Sequence, residues 1–294
     1  MITPDPVSRH DGAGGGAGPR RGAGTRGGAG LSTRHGVRVL TWPALAPYAE
    51  IAVTTSEGGI SEGPYASLNL GLHVGDDPAA VVENRRRAAR AVGAGLDDLV
   101  LANQVHGAQV VTVGSEHRGK GAREAADTVA EADGLVTRDP GPVLVILVAD
   151  CLPMVLCDPV AGVLAVVHAG WRGTMAAVGP AAVAAMVGLG AEPGRVLAGI
   201  GPAISPDRYQ VGPEVAEAAH ATFGDAAGAL LRPDAEGRWL LDLPAANRHL
   251  LALAGVPAEQ VHLAGAHTGP PGPFFSDRSL RPCGRFGLLA RLRW

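Results

Sequence analysis

The sequence predicts an α+β domain. Strand and helix signals are mixed along the chain without a regular βαβ alternation, which argues against a doubly wound sheet. Several runs are apolar without a break over the length of a strand, Val143 to Val148 foremost, as strands covered on both faces are. With 46% hydrophobic residues in a chain of 294, there is material for one sizeable core. A net charge of −3 gives no electrostatic reason to expect nucleic acid or an anionic membrane as partner, so the expected ligand is a small molecule. Three cysteines without a CxxC pair are too few for a disulfide framework and fit a reducing, cytoplasmic setting. No apolar stretch reaches the length of an export signal or a membrane span. The sequence singles out no protein partner.

Residues 1–36 are rich in glycine and arginine: ten of the twenty residues from Asp11 to Gly30 are glycine. Such a segment buries too little apolar area to offset its ordering entropy, so a disordered tail is expected there and a globular domain over residues 37–294. Arg20, Arg21 and Arg26 are too sparse for a nucleic-acid arm. Ile51–Thr55 reads as a strand, and Ser67–His73 carries Asn69 and His73 as its polar members. Asp76-Asp77-Pro78 signals a helix start and Gly93 its stop. Arg85, Arg86 and Arg87 cannot share one helix face, which leaves at least two in solvent and one free to face a pocket. Leu99–Val113 reads as two short strands broken at Asn103–Gly107, placing His106 between them. Asp133-Gly134 is a turn before a strand from Leu135.

The chain is organised around Val143–Thr174. The strand Val143–Val148 ends in Asp150-Cys151, a second strand spans Met154–Cys157, and Asp158–Gly162 turns into a third, Val163–Val167, that ends at His168. Cys151 and His168, seventeen residues apart, are therefore expected as neighbours at one sheet end. Ala169–Thr174 is a glycine-punctuated loop entering a helix, and its N–H groups, with Arg172 beside them, suit an anion. Gly179-Pro180 is expected to break that helix. A strand at Val196–Ile200, helices at Pro213–Phe223 and Pro244–Ala254, a strand at Val261–Ala264 and an apolar C-terminal strand complete the chain. A thiolate with two imidazoles suits zinc and leaves a fourth tetrahedral position open. The same residues without metal make a Cys/His pair with a nucleophilic thiolate. Cys151 as a small buried hydrophobe is the third reading, though Cys157 fits that description better.

The motifs SEGPYASLNLGLHVGDDPAAVVENR, NQVHGAQV, EADGLV, ADCLPMVLCDP, AVVHAGWRGT and LDLPAANRHLL, with the closing FFS and GRFG, resemble a bacterial family. It is the family once labelled polyphenol oxidase or multicopper laccase-domain proteins. Its members are described as purine nucleoside phosphorylases with adenosine deaminase activity, and some as a peptidoglycan editing factor. The resemblance covers residues 37–294 and implies a single α+β domain built as a four-layer α/β/β/α sandwich with mixed sheets. It implies a metal site of His106, Cys151 and His168, zinc being the usual ion and copper also proposed. The implied reactions are phosphorolysis of adenosine, inosine and methylthioadenosine with inorganic phosphate, and hydrolytic deamination of adenosine. Cys151, His168, His106 and Asp133 are then the expected catalytic residues, with Asp133 or Asp150 handling a proton on the purine. Arg172, Arg85 and Asn69 are expected to bind the phosphate co-substrate. Asp277 stands where the family usually has tyrosine, and Ala266-His267-Thr268 and Asp207-Arg208 also depart from its pattern without touching the three ligands. Two competing readings are a cysteine-dependent amide hydrolase editing peptidoglycan precursors and a non-catalytic nucleotide-binding protein. Laccase chemistry is disfavoured, because one cysteine–histidine set lacks the clustered copper ligands it needs.

Overall fold

The computed structural model describes residues 28–294. Its strands are β1 (Gly30–Arg34), β2 (Val37–Thr41), β3 (Ala49–Thr54), β4 (Leu99–Leu101), β5 (Val110–Thr112), β6 (Gly134–Thr137), β7 (Val143–Val148) and β8 (Leu152–Asp158). They continue with β9 (Val163–Ala169), β10 (Leu197–Ile200), β11 (Gln210–Val211), β12 (Leu231–Pro233), β13 (Trp239–Leu241), β14 (Val261–Leu263) and β15 (Phe286–Leu292). The helices are α1 (Pro78–Arg90), α2 (Trp171–Met175), α3 (Val178–Gly188), α4 (Pro213–Phe223), α5 (Ala227–Leu230) and α6 (Leu243–Leu253). A first sheet runs in the order β1-β2-β3-β15-β7-β4, a second β14-β10-β8-β9-β6-β5, and a small third one β11-β13-β12. Both large sheets are mixed, since β4 joins β7, β5 joins β6 and β14 joins β10 in parallel while the other pairs are antiparallel.

Side-chain alternation along the central strands sets the layering. On β7, Val143 and Val145 pack outward with α1 residues such as Ala88 and Ala89, whereas Leu144, Ile146 and Val148 pack inward toward the second sheet. On β8, Val155 and Cys157 meet that inner layer, while Met154 and Leu156 join α3, α4 and α6. On β9, Leu164 and Val166 face inward and Val163, Ala165 and Val167 outward. Three apolar layers thus separate α1, the two sheets and the helical layer of α3, α4 and α6, the four-layer sandwich that was expected. Burial on both faces is why these strands show no polar alternation, and truncating a residue such as Ile146 to alanine costs about 2–5 kcal/mol.

The helix ends follow their local signals. Asp77 caps α1 by accepting from Ala79 N at 3.0 Å, and Asp242 caps α6 by accepting from Ala245 N at 2.8 Å. Two boundaries differ from expectation. The tail does not extend to residue 36: Gly30–Arg34 pairs antiparallel with Val37–Thr41 through a turn in which His35 and Gly36 take positive φ. Its residues are largely exposed, and main-chain pairing needs no apolar pattern to announce it. The expected disorder of the remaining tail, residues 1–27, lies outside the described residues. The helix after His168 breaks at Ala177, which is left-handed at φ 58°, and Gly179-Pro180 falls in the first turn of α3, where proline's missing donor costs nothing.

Register brings the site together. Pro153 pairs with His168 and Gly134 with Val167, so Cys151, Asp133 and His168 meet at one end of the second sheet. β4 and β5, which read as one broken strand pair, belong to different sheets. Residues 102–109 therefore cross from the first sheet to the second, carrying His106.

Candidate active site

The ligand atoms of His106, Cys151 and His168 lie within 4.8 Å of one another. The two imidazoles meet edge to face, with ring centroids 4.8 Å apart. His168 lies inside β9, one residue before its end, and Cys151 immediately precedes β8. His106 at φ 61° and Asp150 at φ 87° both occupy the left-handed region, strain that a fold keeps where geometry matters. Gly170 closes the site from behind: a Cβ there would stand 3.0 Å from Cys151 Sγ and 3.1 Å from His106 Cδ2. One sulfur and two nitrogen donors this close together fit a zinc-type ion whose bonds are ~2.0–2.3 Å long.

Asp133 is fully buried behind this cluster. Its Oδ1 accepts from His168 Nδ1 at 2.7 Å and His106 N at 3.0 Å, and its Oδ2 from Gly107 N at 2.6 Å and Val105 N at 3.3 Å. Holding Nδ1 of His168 leaves Nε2 for the cluster, the arrangement that orients metal-binding histidines. Burial pushes the Asp133 carboxyl up, but the bonds from His168 and Gly107 outweigh it and hold the group below the usual range. Cys151 follows the same logic: burial opposes ionisation, and the charge of His168 with hydrogen bonds from both histidines brings the thiol below its ordinary value. Burial lowers His168, yet Cys151 and Asp133 overcome it and raise the imidazole. Both shifts run in the direction of a charged pair, thiolate on Cys151 and imidazolium on His168.

His106, Cys151 and His168 floor a cavity of about 650 Å³. Its walls carry five arginines, Arg85, Arg172, Arg278, Arg281 and Arg285, against two acids, Asp150 and Asp277, in a chain whose net charge is negative. Arg172 stands at the rim, its guanidinium 4.3 Å over the Trp171 ring and 3.7 Å from Glu214. Arg86 and Arg87 pair with Glu83, leaving Arg85 as the arginine of its trio that turns inward. Asn69 does not reach the cavity: its Oδ1 accepts from Gly71 N and Arg285 N and its Nδ2 donates to Asp76, so it shapes the loop beside Arg285. Asp133 also stays behind the wall, whereas Asp150 lines it, accepting from Thr268 and from Arg278 N. Tyr209, Gln104, Arg278 and Arg281 are lining residues that motif reasoning did not assign. Burial, followed by the Cys151 charge, raises the Tyr209 phenol above its usual range, so it stays a neutral donor.

With this geometry in view, the comparisons are specific. Residues 50–293 match the family model described as multi-copper polyphenol oxidoreductase laccase. A purine nucleoside phosphorylase of Deinococcus radiodurans is 45% identical over 225 residues, 76% of this chain and 81% of the relative. The adenosine deaminase RL5 of an unknown prokaryotic organism is 39% identical over 238 residues, 78% of this chain and 88% of the relative. The crystal structure of YlmD from Geobacillus stearothermophilus superposes with a TM-score of 0.85 at 36% identity, covering 90% of this chain and 98% of the other.

Proposed function

The chain belongs to the multi-copper polyphenol oxidoreductase laccase family, and from that membership we propose that it is a metal-dependent purine nucleoside phosphorylase that also deaminates adenosine. The observation that carries the reading is the convergence of His106, Cys151 and His168 on the floor of an arginine-lined cavity. At about 650 Å³ the cavity is within the ~300–1,000 Å³ of small-molecule sites, and its cationic walls suit phosphate beside a nucleoside. The substrates are adenosine, inosine or methylthioadenosine with inorganic phosphate, and the products a free base and the sugar 1-phosphate.

His106, Cys151 and His168 would hold the ion, zinc by the softness of the donor set, with copper as the alternative. Such an ion supplies Lewis acidity, which activates water at neutral pH and suits deamination. Asp133 is a positioning residue, keeping His168 in one tautomer and pinning the backbone that carries His106. Asp150 is the acid that can meet a proton of the purine, since it lines the cavity and Asp133 does not. Tyr209, neutral and half-buried, donates to a base or sugar oxygen, and Trp171 gives the base an aromatic wall. Three free cysteines, one of them in the site, go with a reducing cytoplasm.

The test is metal content by mass spectrometry on protein purified without tag or chelator, with adenosine turnover assayed on the same sample. Near-stoichiometric zinc with phosphate-dependent adenine release is expected; folded, metal-loaded protein that leaves adenosine intact with and without phosphate would overturn the reading. A second reading rests on the order Cys151–His168–Asp133, which is also that of nucleophile, base and orienting acid. It makes the chain a cysteine hydrolase of an amide in a cell-wall precursor, and an acyl group trapped on Cys151 would establish it.

A further inference from the structure

Arg85 is only 4% exposed, yet it keeps its charge without a carboxylate. Its Nε donates to Leu70 O at 2.8 Å and its Nη1 to Gly121 O and Ala122 O, all neutral carbonyls. Nη2 has no protein partner among the described residues. Other buried charges of this fold are matched: Asp158 meets Arg195 at 3.0 Å, and Asp133 meets His168 at 2.7 Å. An unmatched buried charge is costly, and Arg85 is placed where an anion could discharge that cost, on the cavity wall with His73, Arg281 and Arg285. Burial lowers Arg85 to about 10, with no acidic neighbour to offset it, so it remains a cation at neutral pH. Burial also lowers His73, and the charges of Arg285 and Arg85 lower it further, which puts the three groups in one field.

The charge balance of this wall is uneven. Arg285 pairs with Asp277, and Arg281, which reaches the same carboxylate, stands mostly in solvent, so the enclosed charge of this wall that has no acid is that of Arg85. The rim site at Arg172 is weaker by the same criteria, being largely exposed, engaged with Glu214 and stacked on Trp171.

We propose that the Arg85 wall, with Nη2 of Arg85 as the free donor and His73 and Arg285 flanking it, is the subsite for a phosphoryl group, rather than the Gly170–Thr174 segment. The phosphoryl group is either free inorganic phosphate, in which case the subsite rests on the phosphorylase reading, or an ester carried by the nucleoside. Planar guanidinium donors suit either, and lysine at position 85 keeps the charge and the helix but cannot serve the carbonyls and a ligand together.

The experiment is calorimetric titration of inorganic phosphate, and separately of adenosine 5′-monophosphate, into the wild type, Arg85→Lys and Arg172→Gln, with adenosine turnover measured against phosphate concentration. Arg85→Lys is expected to weaken phosphate binding and raise the phosphate KM by about tenfold or more, with the adenosine KM within about twofold. Arg172→Gln is expected to change phosphate binding by less than about threefold. The reverse ranking of the two variants would overturn the proposal, as would a folded wild type that binds neither anion. If only the monophosphate binds, and does so through Arg85, the subsite stands with the ester as its source while the phosphorylase reading fails. Should Arg85→Lys not fold, wild-type crystals soaked in tungstate decide the matter: an anomalous peak beside Arg85 Nη2 supports the subsite, and a peak only at Gly170–Thr174, or none in the cavity, refutes it.

Discussion

Cys151 and Cys157 stand six residues apart, one just before β8 and the other near its far end, and their chemistry diverges completely. Cys157 has no exposure and packs between the two sheets; burial, followed by the charge of Asp158, pushes its thiol up to about 12. Cys151 is half-buried, and although burial opposes its ionisation, the charge of His168 and hydrogen bonds from both imidazoles draw its thiol downward. The hairpin of β8 and β9 therefore has a structural end and a reactive end. Its structural end is closed by Asp158, which accepts from Val160 N, Ala161 N and Glu192 N and pairs with Arg195. Beside its reactive end stand the left-handed residues His106, on the crossing connection, and Asp150. Burial alone does not decide what a buried thiol does; its polar neighbours do.

The largest effect that tests this contrast is at the thiols themselves. Cys151→Ala is expected to remove metal and cut phosphate-dependent adenine release by about 10³-fold or more. Cys157→Ala should keep turnover within about twofold and cost about 1–2 kcal/mol in a thermal melt. Equal losses in the two variants would erase the distinction between the ends. The two buried carboxylates give the next test. Asp133→Asn leaves one acceptor oxygen where four donors converge and should weaken metal binding about 10–100-fold in chelator competition. Asp158→Asn should leave metal affinity unchanged while lowering stability by about 1–3 kcal/mol, because one acceptor oxygen is lost to buried amides and Arg195 returns to solvent. Gly170→Ala, which crowds Cys151 and His106, is expected to cost about tenfold in metal affinity with the melting temperature little moved.

The smallest effect sharpens the pKa contrast. In chelator-treated protein, an ordinary thiol, titrating near ~8.5, loses most of its thiolate as pH falls from about 8.5 to about 7. Cys151, lowered by the histidines, keeps its thiolate over that range, so its iodoacetamide alkylation, followed by mass spectrometry, should decline only a few-fold. Cys157, raised and enclosed, should stay unmodified at both pH values.

The central strands were legible because their runs are covered on both faces, and the Asp158–Gly162 turn was enough to seat Cys151 near His168. From the chain's own pattern His106 was legible as a residue between two strands, and its place in the metal site came from the resemblance carried by NQVHGAQV; that those strands lie in different sheets is a tertiary fact. Asp133 was seen, but its partners were not, since nothing in EADGLV says that its oxygens are taken up by residues 105–107 and His168. The bonds of Asn69 were hidden for a similar reason, a buried polar side chain serving its own loop. The arginine wall comes from residues far apart in the chain, and its one local signal was the density of Arg278, Arg281 and Arg285 within eight residues. The hairpin of β1 and β2 gave no signal because its first strand is held by main-chain bonds and exposes its side chains.

The crossing at residues 102–109 sets a clock for the whole site. A surface connection ordinarily opens and closes many times for each unfolding of its domain. This one is fastened to the second sheet by one enclosed carboxylate that takes three successive amides, while Gln104 exchanges hydrogen bonds with both main-chain groups of Leu147 in the first. Its opening has to break these bonds, and the amides of Val105, His106 and Gly107 should exchange with solvent more slowly than those of an unfastened loop. His106 waits in place between turnovers instead of arriving with each one.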